Sequence, residues 1–268
     1  MKVKSKIIIS IFLLLFLSLS ILVTADEVTQ NLETKILETF DEDPTSRWVA
    51  IGSKFSFVET DEDGNEIQYP VTAMVNTYPQ ALFGYDIDDT DKNVLGIRCR
   101  FTRQGYNYVE IMPVKVAAAD AEEKDIIYID SGGTQYEADP IPISGRVQLF
   151  DVWVWGSNYN YYLEAHFEDS WGLSHVIRMG DLNYGGWKNL SAKIPNGISQ
   201  ATTYIPRIKP LRFTKFVLWT RPAEIVGDYY IYIDQMKILT DIFETRFDGD
   251  DLASSETMMD VWGVELDN

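Results

Sequence analysis

The spacing of apolar residues changes character along this chain. From Ile7 to Val23 the sequence is apolar, broken only by Ser10, Ser18 and Ser20. Val28, Leu32, Ile36 and Phe40 then recur every four positions, which predicts a short amphipathic helix over residues 26–39. Beyond this point the period falls to two. Ile97, Cys99 and Phe101 alternate with Arg98 and Arg100, and Leu163, Ala165 and Phe167 alternate with Glu164, His166 and Glu168. Such alternation predicts half-buried strands. Strands are expected at 55–58 and 66–72 around an acidic turn containing Gly64, then at 82–87, 96–102 and 106–114, the last two joined by Gln104-Gly105. One or two helical turns are expected at 117–124. Further strands follow at 126–129, 145–155, 161–168, 175–179, 190–194, 213–220 and 228–238. The run 147–155 is apolar at almost every position, so it belongs in the middle of a sheet or beneath another surface.

About a dozen short strands with turn signals between them and no recurrent helix indicate an all-β chain. The expected fold is an antiparallel β-sandwich of jelly-roll type, with a short N-terminal helix and an acidic C-terminal tail. No linker rich in Pro or Ser and no internal repeat divides the chain, so residues 26–240 read as one domain. The tail, residues 241–268, carries nine acidic residues against Arg246 alone. It also holds Met258, Met259, Val261 and Trp262, which a purely solvated tail lacks, so it is expected to dock on its own domain or on a neighbour.

The first apolar run follows Lys2, Lys4 and Lys6 and ends in Val23-Thr24-Ala25. A positive start, an apolar middle and small residues at the end define a secretory leader, with cleavage expected between Ala25 and Asp26. Seventeen helical residues would span roughly 25 Å, short of a ~30 Å hydrocarbon core, so no stable membrane anchor is expected after cleavage. The only cysteine, Cys99, is not at the cleavage point, which excludes a bacterial lipoprotein, and one cysteine allows no internal disulfide. Its place among Ile97 and Phe101 points to a buried, inert thiol. The formal charge of −18 counts the three leader lysines and is −21 without them. A surface this acidic repels nucleic acid and anionic lipid, and no basic patch in the sequence argues for either as a partner.

Several motifs fail on chemistry. Asp130-Ser131-Gly132-Gly133 looks like a serine-protease nucleophile loop, but that order of chain needs a His before it, and His166 and His175 both follow. It reads as a hairpin turn. The segment starting at Glu59 has EF-hand spacing with Gly64 in sixth place, yet Pro70 stands where a bidentate Glu is required. Glu164 and Glu168 share a strand face roughly 13 Å apart, too far for glycoside hydrolysis. No catalytic residues, no cofactor-binding residues and no cofactor are therefore assigned. A structural Ca²⁺ is left open; the acidic loop 86–91 could hold a hard cation, with an ordinary solvated loop as the alternative reading.

Residues 152–162 run from a Trp-bearing strand into an Asn/Tyr-rich turn. Phe167-Glu168-Asp169-Ser170-Trp171-Gly172, then Gly185-Gly186-Trp187 and Tyr229-Tyr230-Ile231-Tyr232-Ile233-Asp234 follow. This order resembles galactose-binding-like jelly rolls used by many carbohydrate-binding modules. Trp187 and the Ile231/Ile233 face read as core, whereas Trp153 and Trp155, two apart on one strand face, could be core, a sugar-stacking platform or a subunit contact. Taken with Glu38-Thr39-Phe40-Asp41, Trp48, Arg221-Pro222-Ala223-Glu224 and the Trp-bearing tail, the chain resembles the spirochaete flagellar filament outer layer (sheath) proteins. The resemblance implies a non-enzymatic periplasmic protein that coats a flagellin core, contacts other copies or paralogues of itself, and affects filament stiffness, shape and motility. The alternative is an exported carbohydrate-binding module or lectin-like protein. Trp153, Trp155, Met258, Met259 and Trp262 are the candidate contact residues, and of these Trp153 and Trp155 are the ones that would serve a sugar.

Overall fold

Alternation fixes which side of each strand is covered, and strand pairing then decides which covered sides meet. The computed structural model describes residues 31–60, 64, 66–84, 92–200, 210–242 and 255–263. The leader, the cleavage point Ala25–Asp26 and the acidic loop 86–91 lie outside the described residues. The strands are β1 (Leu32–Glu38), β2 (Trp48–Gly52), β3 (Val58–Thr60), β4 (Glu66–Gln68), β5 (Val71–Asn76), β6 (Asn93–Cys99), β7 (Tyr108–Val116) and β8 (Ile126–Ile129). They continue with β9 (Gln135–Ala138), β10 (Ile141–Ile143), β11 (Arg146–Ser157), β12 (Tyr162–Glu168), β13 (Ser174–Asp181), β14 (Gly185–Lys193), β15 (Leu211–Trp219) and β16 (Tyr229–Asp241). Among the described residues, helix is confined to α1 (Gln80–Phe83), α2 (Ser255–Trp262) and two 3₁₀ turns, at Pro44–Ser46 and Glu123–Asp125.

Among the described residues every pairing is antiparallel, and two sheets carry the fold. The first runs β14-β11-β16-β6-β5, with β1 also paired to β16; the second runs β13-β12-β15-β7-β9-β8, with β10 on β15 and β2 on β7. A small β3–β4 hairpin stands beside them. The long strand β16 organises the first sheet. Along one edge it pairs with β11, and along the other its first half meets β6 and its second half meets β1, end to end.

Between the sheets lies an aromatic core. Val152, Val154, Ile231, Ile233, Leu95 and Ile97 face Leu163, Ala165, Phe167, Phe213, Phe216 and Leu218 in one buried cluster. Phe150 stacks on Phe213 at 5.6 Å, and Phe167 meets Phe150 edge-on at 5.2 Å. Each such ring contributes about 1.5–3 kcal/mol by burial, and the offset and edge-on geometries add about 0.5–1.5 kcal/mol per pair. Cys99 is 1% exposed within this core, its thiol directed at the Tyr229 carbonyl and its pKa pushed far up by burial. The inert reading of the thiol holds.

Two expected elements are corrected. Residues 32–38 form strand β1, not a helix. A repeat of four satisfies period two as well as period 3.6, and Leu32 and Ile36 stand exposed on one strand face while Leu37 packs on the core. The expected strand at 82–87 begins instead with α1, closed at Gly84 by a bond from its N–H to the Gln80 carbonyl, and the rest of that stretch falls outside the described residues.

Candidate functional site

β11 sends Val152 and Val154 inward, so Trp153 and Trp155 emerge on the outer face of the first sheet. The core alternative for these two residues is thereby removed. Trp187 is corrected too, since it pairs directly with Trp155 across β14 and shares that outer face. Tyr232 completes the group from β16, its ring meeting Trp155 edge-on at 5.2 Å. Three strands thus place an aromatic patch, all of it half-buried, on a face opposite the core. The spacing of Trp153 and Trp155 put them on one face; only the pairing partners reveal which face.

Beside the patch, Asp234 pairs with Trp153 and is 2% exposed, its Oδ1 without a hydrogen-bond partner. Burial, with Asp41 adding its charge, raises the carboxyl to about 7, against the pull of the Gln235 N–H, Lys92 and Lys237. Gln235, in a left-handed conformation, begins a bulge at which the β16 register shifts against β11. Among the described residues no three His, Cys, Asp or Glu side chains gather as a metal site would require.

A second surface lies at the β12–β13 hairpin, at the outer edge of the second sheet. Asp169 shapes the turn. Its Oδ1 accepts from the N–H groups of Trp171 and Leu173, and its Oδ2 sits 2.7 Å from His175 Nε2. Burial alone would raise the Asp169 pKa, but the His175 bond and the two backbone donors outweigh it and hold the carboxyl below its ordinary value. Gly172 takes the positive φ that the turn demands. The result is a rigid turn that leaves Trp171 68% exposed, with Leu173 and Val176 also exposed. Sequence reasoning treated this segment only as part of a fold signature, although Trp171 between Ser170 and Gly172 is a large apolar residue in a turn, where nothing covers it.

The tail supplies the third surface. Helix α2 ends at Gly263, whose N–H returns to the Met259 carbonyl in the left-handed conformation common at helix ends. Met259, Val261 and Trp262 are exposed, Trp262 at 70%, and Met258 is partly covered. A groove of about 730 Å³ also runs between β2 and the start of β5, lined by Ala50, Ile51, Tyr69, Val71 and Tyr128. Among the described residues its two carboxylates, Glu66 and Asp130, come from separate hairpins, and Asp130 is occupied in accepting bonds from the N–H groups of Gly132 and Thr134. Asp130-Ser131-Gly132-Gly133 is the turn between β8 and β9.

The family model described as flagellar filament outer layer protein Flaa matches residues 76–248. A flagellar filament outer layer-like protein of Brachyspira hyodysenteriae is 26% identical over 164 residues, covering 61% of this chain and 65% of that protein. The flagellar filament outer layer protein of Spirochaeta aurantia is 26% identical over 189 residues, covering 65% of this chain and 53% of that protein. The chain thus spans between about half and two thirds of the length of these curated relatives. Among solved structures, the family 11 carbohydrate-binding module of a Clostridium thermocellum cellulosomal cellulase shares 11% identity at a TM-score of 0.36, covering 78% of this chain and 96% of that one. A carbohydrate-binding module that recognises mannan shares 8% at 0.36, covering 78% of this chain and 98% of that one.

Proposed function

Because the chain belongs to the flagellar filament outer layer protein family, we propose that it is a non-enzymatic structural subunit that sheathes a flagellin core in the periplasm and sets filament stiffness and shape. The observation that carries this reading is the family match over residues 76–248. The surface supports it. A sandwich closed by an aromatic core presents three separate apolar areas, at Trp155, Trp171 and Trp262, and a subunit that must touch a core and its neighbours needs more than one contact area. In this reading flagellin and further copies or paralogues of the chain are the partners, a Sec-type leader ending at Ala25 delivers it, and motility depends on the coat.

Immunogold electron microscopy of purified periplasmic filaments with an antibody to this chain tests the proposal. Continuous labelling along the filament, with thinner filaments in a deletion strain, is the expected result. Label confined to the cell-body fraction, with filaments of unchanged diameter in the deletion strain, refutes it.

One observation favours a second reading, that of an exported sugar-binding protein. Trp155, Trp187 and Tyr232 form an outward aromatic patch with Asn189 and Asp151 hydrogen-bonded beside it, the combination of stacking surface and polar groups that a sugar requires. Selective binding on a glycan array, abolished by Trp155→Ala, would establish that reading; an empty array removes it.

A further inference from the structure

We propose that the chain associates head to tail, the acidic C-terminal segment of one copy docking on an arginine–aromatic stripe at the opposite end of the next. This deepens the structural-subunit reading and rests on it for its biological setting, not for its test.

The stripe is built by β6 and the loop before β3. Because Ile97, Cys99 and Phe101 face the core, Arg98 and Arg100 face out. Residues 55–57 lie beside 100–102, held by bonds from the Phe57 N–H to the Arg100 carbonyl and from the Thr102 N–H to the Phe55 carbonyl. Their rings therefore meet the cations. Arg100 stacks over Phe57 at 4.2 Å, Arg103 over Phe55 at 3.7 Å with Lys54 at 5.1 Å, and Arg98 over Tyr69 and Tyr230 at 5.1 and 5.8 Å. Arg98 is neutralised by Asp228 at 3.3 Å. Lys54, Arg100 and Arg103 have no carboxylate within ion-pairing distance among the described residues. In a chain with 41 acidic against 23 basic residues, three unpaired cations side by side on aromatic rings form a marked local reversal of charge.

The occupant is indicated by charge, chemistry and distance. Residues 241–268 hold nine carboxylates, with Met259, Val261 and Trp262 exposed on α2 among them. Acidic groups suit the cations, Trp262 offers a face to an arginine, and the methionines suit the phenylalanine rings. Tyr230, in the stripe, and Asp241, where the tail leaves, stand at opposite ends of β16, eleven residues or roughly 36 Å apart. Residues 242–254 connect β16 to α2, and thirteen residues reach at most about 45 Å when fully extended. Met259, Val261 and Trp262 stand exposed, so this face of α2 is not docked on the chain's own stripe, and a second copy stacked end to end brings its stripe to the tail. A contact between two different patches is open-ended and generates chains rather than closed dimers.

The full-length mature chain is examined by sedimentation velocity at 50 and 500 mM NaCl. The expected result is concentration-dependent association into dimers and longer chains at low salt, weakened at least about tenfold at high salt. Arg100→Glu with Arg103→Glu removes the stripe, and Glu256→Lys with Asp260→Lys reverses the sign of the charge on α2. Each pair alone should be monomeric with an unchanged melting temperature. Mixed in equal amounts they should form dimers and nothing larger, because the intact tail of the first variant meets the intact stripe of the second. A wild-type chain that stays monomeric at both salts, variants that associate as the wild type does, or a mixture that grows beyond dimers overturns the proposal. Co-sedimentation of the same variants with purified filaments is scored separately, so loss of self-association with retained filament binding leaves the sheath reading intact, and the converse refutes that reading alone.

Discussion

Asp234 makes the folded protein work against its own charge at neutral pH. In the unfolded chain this carboxyl titrates near 3.9, while burial with an unbonded Oδ1 raises it to about 7 in the fold. Between those values the native state binds a proton that the unfolded state has released, so stability falls as pH rises through this window and is fully recovered below about pH 4. A difference of about three pH units corresponds to about 4 kcal/mol. Asp234→Asn keeps the shape and removes the ionisation. Its amide still leaves donors to satisfy, at about 1–2 kcal/mol, so the net gain at pH 8 should be about 2–3 kcal/mol, vanishing or reversing at pH 4. Urea midpoints of both proteins across pH 4–8 measure this directly, and the difference between them isolates Asp234 from the other carboxylates. A variant no more stable at pH 8 than at pH 4 relative to the wild type would show that the carboxyl is not held above its ordinary value, and the argument fails.

Three further outcomes follow from the packing. Phe213→Ala should cost about 3–5 kcal/mol in chemical unfolding, since the ring contacts Phe150, Phe167, Phe216 and Trp48; a loss below 1 kcal/mol would mean that the sheets collapse around the gap. Asp169→Ala should destabilise by about 2 kcal/mol at pH 7 and by progressively less in acid, because a depressed carboxyl contributes above about pH 4 and loses that contribution as pH falls through its folded pKa. Cys99 should resist a thiol reagent in the native protein and react on unfolding, while Cys99→Ser costs only about 1 kcal/mol, because the Tyr229 carbonyl is at hand for the hydroxyl; rapid native labelling would contradict the buried position.

The sandwich was legible because its signal is local. Alternation in residues 163–168 and at 97–101 reports a half-buried strand wherever it occurs, and the fully apolar run through Val152 and Val154 does lie between two neighbours in mid-sheet. Where both sides of a strand are apolar, as in β11 with tryptophans on one side and valines on the other, the pattern cannot report which half faces the core. Trp153, Trp155 and Trp187 were placed outward by pairing between strands some 30 residues apart, a non-local fact. β2 and β10 are short strands recognised by their partners β7 and β15, and Pro142 within β10 weakens any strand reading. The cation stripe was hidden for the same reason. Phe55 and Phe57 are remote in sequence from Arg100 and Arg103, and the paired segments alone bring them together.

β16 also has a mechanical meaning. It is thirteen residues long, it is paired along both edges, and the tail leaves from its last residue. Tension applied through the tail acts along the strand axis, while the hydrogen bonds to β11, β6 and β1 lie across it. Bonds in that arrangement share a pull and must break together, in shear, rather than one after another as in a peeled hairpin. A pull through the C-terminal segment would therefore be carried into the middle of the first sheet without unravelling it.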